Sequence, residues 1–297
     1  MHHSFKGIFA ALTTPFIGDE ISPEKLKENI QKYNSFDLAG YVILGSSGES
    51  VYLSDKESEE LVQTAKKTAS QGKKIIVGTA RESTKGTLEF TNRMADFDID
   101  AALIRTPSYF KSRMDQEALK KHYLTIADKS EVPVLIYNNP RITGISVDSE
   151  LITELSDHPN ITGIKDSSGN LAFLEETIPH IDSHFNFLLG AGSVLLLGLK
   201  LGASGGILGM ASAAPAQCVK LYNLFLERQM DEAAELQLDL IHLNKAVVDT
   251  FGIPGLKYAL DLLGFYGGPP RLPLLPLDEK GKREMEAILS KIGLLTE

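Results

Sequence analysis

Eight short runs of apolar and β-branched residues, at 8–12, 41–44, 74–78, 101–105, 134–137, 161–165, 185–189 and 205–208, alternate with longer segments that carry their charges on one face. The runs begin roughly every 20–35 residues, the spacing of a repeated strand-then-helix unit. Helical patterns fill the gaps, among them 56–69, opened by Ser54-Asp55, and 115–128. Strands joined by such crossovers pair in parallel. Eight units in about 230 residues fit a closed barrel, whereas a doubly wound sheet has fewer strands and an early glycine-rich dinucleotide turn. The expected fold is therefore α/β, a TIM (β/α)8 barrel over 1–230. Helical patterns at 232–249, 254–263 and near 280–292 follow, with a proline-rich turn before the last. No Ser/Gly/Pro linker sets them apart, so 231–297 is expected to be a C-terminal helical extension packed on the barrel.

With 43% hydrophobic and 23% charged residues, a disordered or fibrous chain is excluded. The 39 acidic and 30 basic side chains leave a net charge of −9, which repels nucleic acid and anionic membrane surfaces. Cys218 is the only cysteine, so an internal disulfide and a thiolate-built metal centre are excluded and a reducing compartment is expected. Met1-His2-His3-Ser4 lacks the basic-then-apolar start of a secretory signal. The uncharged stretch 187–199 is too short to span a bilayer and reads as a buried strand and helix. Cytoplasmic localisation is the resulting expectation.

In a barrel of this kind, reactive groups sit at the C-terminal ends of strands. Four strand exits carry chemistry: Gly45-Ser46-Ser47-Gly48-Glu49, Thr106-Pro107-Ser108-Tyr109, Tyr137-Asn138-Asn139-Pro140 and Gly163-Ile164-Lys165-Asp166-Ser167. Burial at the barrel mouth would lower the pKa of Lys165 and free its amine to form a Schiff base with a ketone. Taken alone, a strand-end lysine is more often a snorkelling or ion-paired residue. Tyr137 ends the preceding strand, about 5 Å away, where a hydroxyl can relay protons; an isolated tyrosine more often packs and bonds a carbonyl. The Gly45 to Glu49 loop offers backbone N–H groups at Gly45 and Gly48 and the hydroxyls of Ser46 and Ser47, a cradle for a small carboxylate. No Gly-Lys-Ser/Thr follows, so it is not a P-loop. Tyr109 reads first as a loop aromatic and second as a catalytic hydroxyl.

The seven histidines are scattered, and surface or packing roles are expected of them; no metal is implied. Asp96, Asp98 and Asp100 alternate, but Ala101 stands where a calcium loop needs glycine. Gly205-Gly206 would allow a phosphate to approach, although close packing of a barrel strand is the commoner reason for such glycines.

Together these residues resemble the dihydrodipicolinate synthase and N-acetylneuraminate lyase superfamily of pyruvate-type class I aldolases. The likeness starts at Gly7-Ile8-Phe9-Ala10-Ala11-Leu12-Thr13-Thr14-Pro15-Phe16 and runs through the Gly45 loop, Tyr137-Asn138-Asn139-Pro140, Gly163-Ile164-Lys165 and Gly205-Gly206-Ile207. The resemblance implies a TIM barrel with a C-terminal extension, working as a homodimer or a homotetramer built from dimers. It implies a Schiff base between Lys165 and pyruvate or another 2-oxo acid, with Tyr137 shuttling protons. Ser46 matches the hydroxyl of the proton relay, Ser47 a group holding the pyruvyl carboxylate, and Tyr109 the relay tyrosine donated across a dimer interface. Ile207 matches the position whose carbonyl lines the site. No cofactor is implied, since the protonated imine is itself the electron sink.

Dihydrodipicolinate synthases carry an arginine two residues after the proline of the Tyr-Asn-x-Pro motif, but Ile142 occupies that place here, with Arg141 one residue earlier. The stretch Thr106-Pro107-Ser108-Tyr109-Phe110-Lys111-Ser112-Arg113-Met114 resembles the 4-hydroxy-2-oxoglutarate aldolase branch. So do Phe251-Gly252-Ile253-Pro254-Gly255-Leu256-Lys257 and Gly264-Phe265-Tyr266-Gly267-Gly268-Pro269, although Ser47 stands where that branch has asparagine. The leading expectation is thus cleavage of 4-hydroxy-2-oxoglutarate to pyruvate and glyoxylate. The alternatives are condensation of pyruvate with aspartate semialdehyde, a non-catalytic barrel that binds a 2-oxo acid, and a phosphosugar enzyme using Gly205-Gly206. Arg81, Arg105 and Arg141 are the cations available to receive a second carboxylate, with rim salt bridging as the competing role.

Overall fold

The structure, a computed structural model, describes residues 4–295; Met1 to His3 of the N-terminal segment and the last two positions of the 231–297 extension lie outside the described residues. Eight parallel strands close into a barrel: β1 Gly7–Ala11, β2 Gly40–Ile43, β3 Lys74–Gly78, β4 Ala101–Arg105, β5 Val134–Asn138, β6 Ile161–Asp166, β7 Asn186–Leu189 and β8 Gly205–Leu208. Each pairs with its sequence neighbours, and β1 pairs with both β2 and β8. A two-stranded antiparallel hairpin, Phe16–Ile17 with Glu20–Ile21, follows β1.

All eight expected strands are present, with ends shifted by at most one residue. β2 stops at Ile43 because Leu44 takes a left-handed backbone, φ 59°, which cannot continue a pleat. Gly205 serves close packing: a Cβ there would stand 2.0 Å from the carbonyl oxygen of Gly7, where β8 meets β1.

Two cores follow from strand alternation. Inside the barrel, Phe9, Val42, Ile76, Leu103, Leu135, Leu188 and Ile207 pack with Phe5 and Tyr137. Outside it, the other strand faces pack against the helices. Helix Asp55–Thr68 starts where Ser54 and Glu57 form a reciprocal capping box, and Asp115 caps Gln116–Ala127. The stretch 187–199 completes β7 and then enters a short helix, Leu195–Lys200. Among the described residues, no helix is long and apolar enough to cross a membrane.

After the barrel come helices Met230–Asn244, Gly252–Leu262 and Glu279–Lys291. The expected helix over 232–249 is not uniform: Lys245–Thr250 widens into a π-helical turn, a form often found beside functional sites. Gln237 fixes the first helix to the loop after β7, accepting from Leu196 N at 2.9 Å and donating to Gly192 O at 3.0 Å. Leu240, Leu243, Val247, Leu256 and Leu289 continue the outer core.

Candidate active site

β5 and β6 are in register at Tyr137 and Lys165, so both side chains project from the same face of the sheet, into the barrel. Lys165 is 4% exposed, and its ammonium lies 4.2 Å from the centroid of the Tyr137 ring. The Tyr137 hydroxyl receives the Asn139 amide at 2.9 Å and lies 3.4 Å from Ser46 Oγ. Burial pushes the Tyr137 phenol up, but the Lys165 ammonium and hydrogen bonds with Ser46, Asn139 and Ser167 outweigh it and leave the phenol below its ordinary value. A phenol so placed is primed to exchange protons with whatever binds Lys165.

These groups open into a cavity of about 290 Å³ at the C-terminal mouth of the barrel, lined by Lys165, Tyr137, Ser46, Ser47 and Arg141. The turn Ser46–Gly48 uses the amides of Gly48 and Glu49 on the carbonyls of Gly45 and Ser46, at 3.0 and 3.1 Å. Gly48 is itself buried, and its carbonyl accepts from Thr14 Oγ1 at 2.6 Å. The turn therefore meets the cavity at Ser46 and Ser47, not through an amide of Gly48. Gly45 borders a small adjoining recess with Ser46, Tyr137 and Arg105.

Other expected residues fall differently. Ile207 packs fully buried inside the barrel and is not among the residues lining the cavity; Gly209, two positions on, is. Tyr109 is 79% exposed and lies outside the cavity of its own chain, edge-on to Phe110 at 5.0 Å. Of the three cations, only Arg141 lines the cavity, where it pairs with Asp249 on the π-helical turn and donates to Val248 O at 3.3 Å. Arg105 is held by Glu82 at 2.8 Å, and Arg81 is away from the cavity, bonded to Asp55 at 2.7 Å and stacked on Phe90. His180 and His184 are four residues apart, but His180 ends a short 3-10 turn and His184 lies beyond it, so they form no helical ligand pair.

Sequence reasoning missed the residues that support this site. Asn139 sits two positions after Tyr137, on the same side of an extended chain, and that spacing was the available signal. Asp166 is 3% exposed and accepts from Asn138 Nδ2 and Ser168 Oγ, both at 2.7 Å. Burial raises its carboxyl, with those hydrogen bonds opposing. Ser168, Ser193 and Asn244 add polar groups to the far wall.

Comparison with known proteins places this geometry. Residues 4–292 match the model of the Dihydrodipicolinate synthetase family. The chain is 32% identical over 295 residues to the 4-hydroxy-tetrahydrodipicolinate synthase of Methanothrix thermoacetophila, covering 98% of each chain. It is 33% identical over 294 residues to the enzyme of the same name from Methanoculleus marisnigri, covering 97% of this chain and 100% of the relative. The crystal structure of dihydrodipicolinate synthase from Thermotoga maritima superposes with a TM-score of 0.92 at 29% identity, over 99% of this chain and 100% of that one. These relatives carry the synthase name and not that of a 4-hydroxy-2-oxoglutarate aldolase, which favours the alternative sequence expectation over the leading one. Of the stretches that resemble the aldolase branch, 106–114 and 264–269 lie beside the strands and helices of the site, while 252–257 begins the helix Gly252–Leu262 and reaches the cavity through Gly252, Ile253 and Leu256. With a family model spanning almost all of its length, the chain belongs to the dihydrodipicolinate synthetase family, as a carbon–carbon lyase acting through a Schiff base with pyruvate.

Proposed function

We propose that this protein is a 4-hydroxy-tetrahydrodipicolinate synthase that condenses pyruvate with aspartate semialdehyde, with Lys165 as the Schiff-base lysine. The observation that carries this reading is the buried Lys165 ammonium against the Tyr137 ring, with the phenol held by Asn139 and Ser46. The names of the curated relatives favour the semialdehyde over 4-hydroxy-2-oxoglutarate.

In this mechanism the Lys165 amine attacks the ketone carbon of pyruvate, the oxygen takes a proton and water leaves, giving a protonated imine. Tyr137, relayed by Ser46, carries protons during that loss and the later ones. Ser47 holds the pyruvyl carboxylate. Loss of a methyl proton makes the enamine, whose terminal carbon bonds to the aldehyde carbon while the new alkoxide is protonated. The amino group contributed by the semialdehyde then attacks the imine carbon and expels Lys165, closing the ring and freeing the catalyst. Arg141, at the rim, receives the carboxylate of the semialdehyde by exchanging it for Asp249.

We also propose a homodimer, or a homotetramer of dimers, in which Tyr109 reaches the partner's cavity. The support is a patch in which Val51, Tyr109 and Phe110 are 67%, 79% and 69% exposed. A cytoplasmic setting fits the single, buried Cys218.

The test is to incubate the protein with pyruvate, reduce with borohydride and map the added mass. A stable adduct on Lys165, absent from Lys165→Ala, is expected, followed by pyruvate-dependent consumption of aspartate semialdehyde. No adduct from folded protein at high pyruvate would sink the assignment of Lys165. An adduct with cleavage of 4-hydroxy-2-oxoglutarate, and no use of the semialdehyde, would return the aldolase reading.

A further inference from the structure

The turn that presents Ser46 and Ser47 is bracketed by two left-handed residues, Leu44 at φ 59° and Glu49 at φ 53°, and neither is glycine. Side chains disfavour that backbone, so it persists only where the surroundings over-determine it. At Glu49 the restraint is visible. Its side chain is fully buried, with Oε1 2.6 Å from Lys257 Nζ, which is fully buried too. Oε2 accepts the backbone N–H of Arg271 at 2.9 Å. Lys257 also donates to Pro269 O at 2.8 Å and lies 4.4 Å from the centroid of the Phe16 ring. Arg271 covers the same ring at 4.5 Å and donates to Tyr52 O at 2.9 Å, just beyond the turn.

For stability alone, a buried ion pair is a poor choice: a packed apolar pair of similar volume does as well or better. What the charged pair supplies is placement, because one carboxylate oxygen accepts the Arg271 N–H while the other is in ion-pair contact with Lys257. The Ser46 to Tyr137 separation, 3.4 Å, is at the long limit of a hydrogen bond, so a small shift of the turn breaks it. Lys165, Tyr137 and Asn139 do not share this dependence, since they stand on β6, on β5 and at the residue after β5.

We propose that Lys257 and Glu49 are positioning residues, in which the C-terminal extension grips the turn after β2 and thereby sets Ser46 against Tyr137 for proton transfer. The inference rests on the assignment of Lys165 and Ser46 given above. It adds that the extension governs the rate of proton transfer and not the amount of covalent imine that Lys165 holds at saturating pyruvate.

The experiment separates those two events with pyruvate alone. Borohydride trapping measures how much imine forms on Lys165 at saturating pyruvate, and exchange of the pyruvate methyl protons in D2O, followed by NMR, measures proton removal from that imine. Three variants are compared: Lys257→Met, Glu49→Asp, and the double variant Glu49→Gln with Lys257→Met, which leaves no orphan charge. For the folded double variant, trapped imine at the wild-type amount with methyl exchange slowed at least tenfold is expected; Glu49→Asp, which keeps the charges but shortens the arm, is expected to fall between.

Wild-type exchange in the folded double variant would overturn the proposal, as would loss of imine in proportion to exchange. Failure of the double variant to fold would overturn it as well, since the pair would then serve the fold and not the turn. If the wild-type protein itself forms no adduct at Lys165, the assignment of the Schiff-base lysine has failed instead, which this readout shows before any variant is made.

Discussion

Asn139 donates its side-chain amide to the hydroxyl of Tyr137, two residues before it, at 2.9 Å. An N–H donor stabilises the phenolate more than the phenol, so this contact and the Lys165 ammonium pull Tyr137 below its ordinary pKa. Removing the donor must raise it. In Asn139→Ala the alkaline limb of the pH profile for kcat is expected to move upward, with kcat reduced by about tenfold to a hundredfold, part of what a positioned proton donor supplies. An unmoved alkaline limb would assign that limb to another group.

Arg141 is bound to Asp249 while lining the cavity, and both are about half exposed. If the guanidinium receives the aldehyde substrate's carboxylate, Arg141→Ala raises the KM for aspartate semialdehyde by roughly tenfold, the effect of one charged hydrogen-bonded contact at a wet rim. The KM for pyruvate and the trapped imine stay as they were. Asp249→Ala, which frees the guanidinium, is expected to lower the semialdehyde KM. Should both variants leave that KM alone, Arg141 is only a rim salt bridge.

Hydrogen bonding to the Arg271 guanidinium holds the Glu57 carboxyl down to about 2 from an ordinary 4.5, against burial and with help from Ser54. A carboxyl depressed on folding stabilises the protein above its unfolded pKa, and that contribution is lost as pH falls from 4.5 towards 2. Glu57→Gln is expected to lose about 1–2 kcal/mol at pH 7 and to show a flatter stability curve across that acid window. Urea unfolding at a series of pH values measures both; parallel curves for the two proteins would count against the pairing.

Gly205→Ala places a methyl group 2.0 Å from Gly7 O, against backbone that has no rotamer with which to move aside. The barrel seam must open or shift, and a loss of about 3 kcal/mol or more is expected. Thermal melting decides it, and a variant as stable as the wild type would show that the seam tolerates displacement.

The parts of this protein that were legible in the sequence are those governed by short-range periodicity. All eight strands declared themselves because each is a compact apolar run, and Lys165 and Tyr137 because strand ends point at a barrel mouth. Register then brought them together without further information. What stayed illegible depends on distant contacts. Glu49 looks like a loop carboxylate until Lys257 and Arg271 are folded onto it. The π-helical turn at Lys245–Thr250 hides inside an ordinary helical pattern, since only tertiary packing widens it. Tyr109, which the family resemblance casts as a tyrosine donated across a dimer interface, stands in solvent in the single chain, where periodicity and strand ends give it no place in the cavity.

The seam between β1 and β8 also imposes an order in time. β1 gains its second partner only when Gly205–Leu208 has been made, and at about 5–20 residues per second of synthesis that is roughly ten to forty seconds after β1 itself emerges. Until then the growing sheet has a bare edge, open to pairing with other nascent chains. The helices that supply Asn244 and Leu256 to the cavity leave the ribosome later still. A partly translated chain thus carries an open sheet edge, and the amine of Lys165 stays outside any finished pocket until those helices have been made.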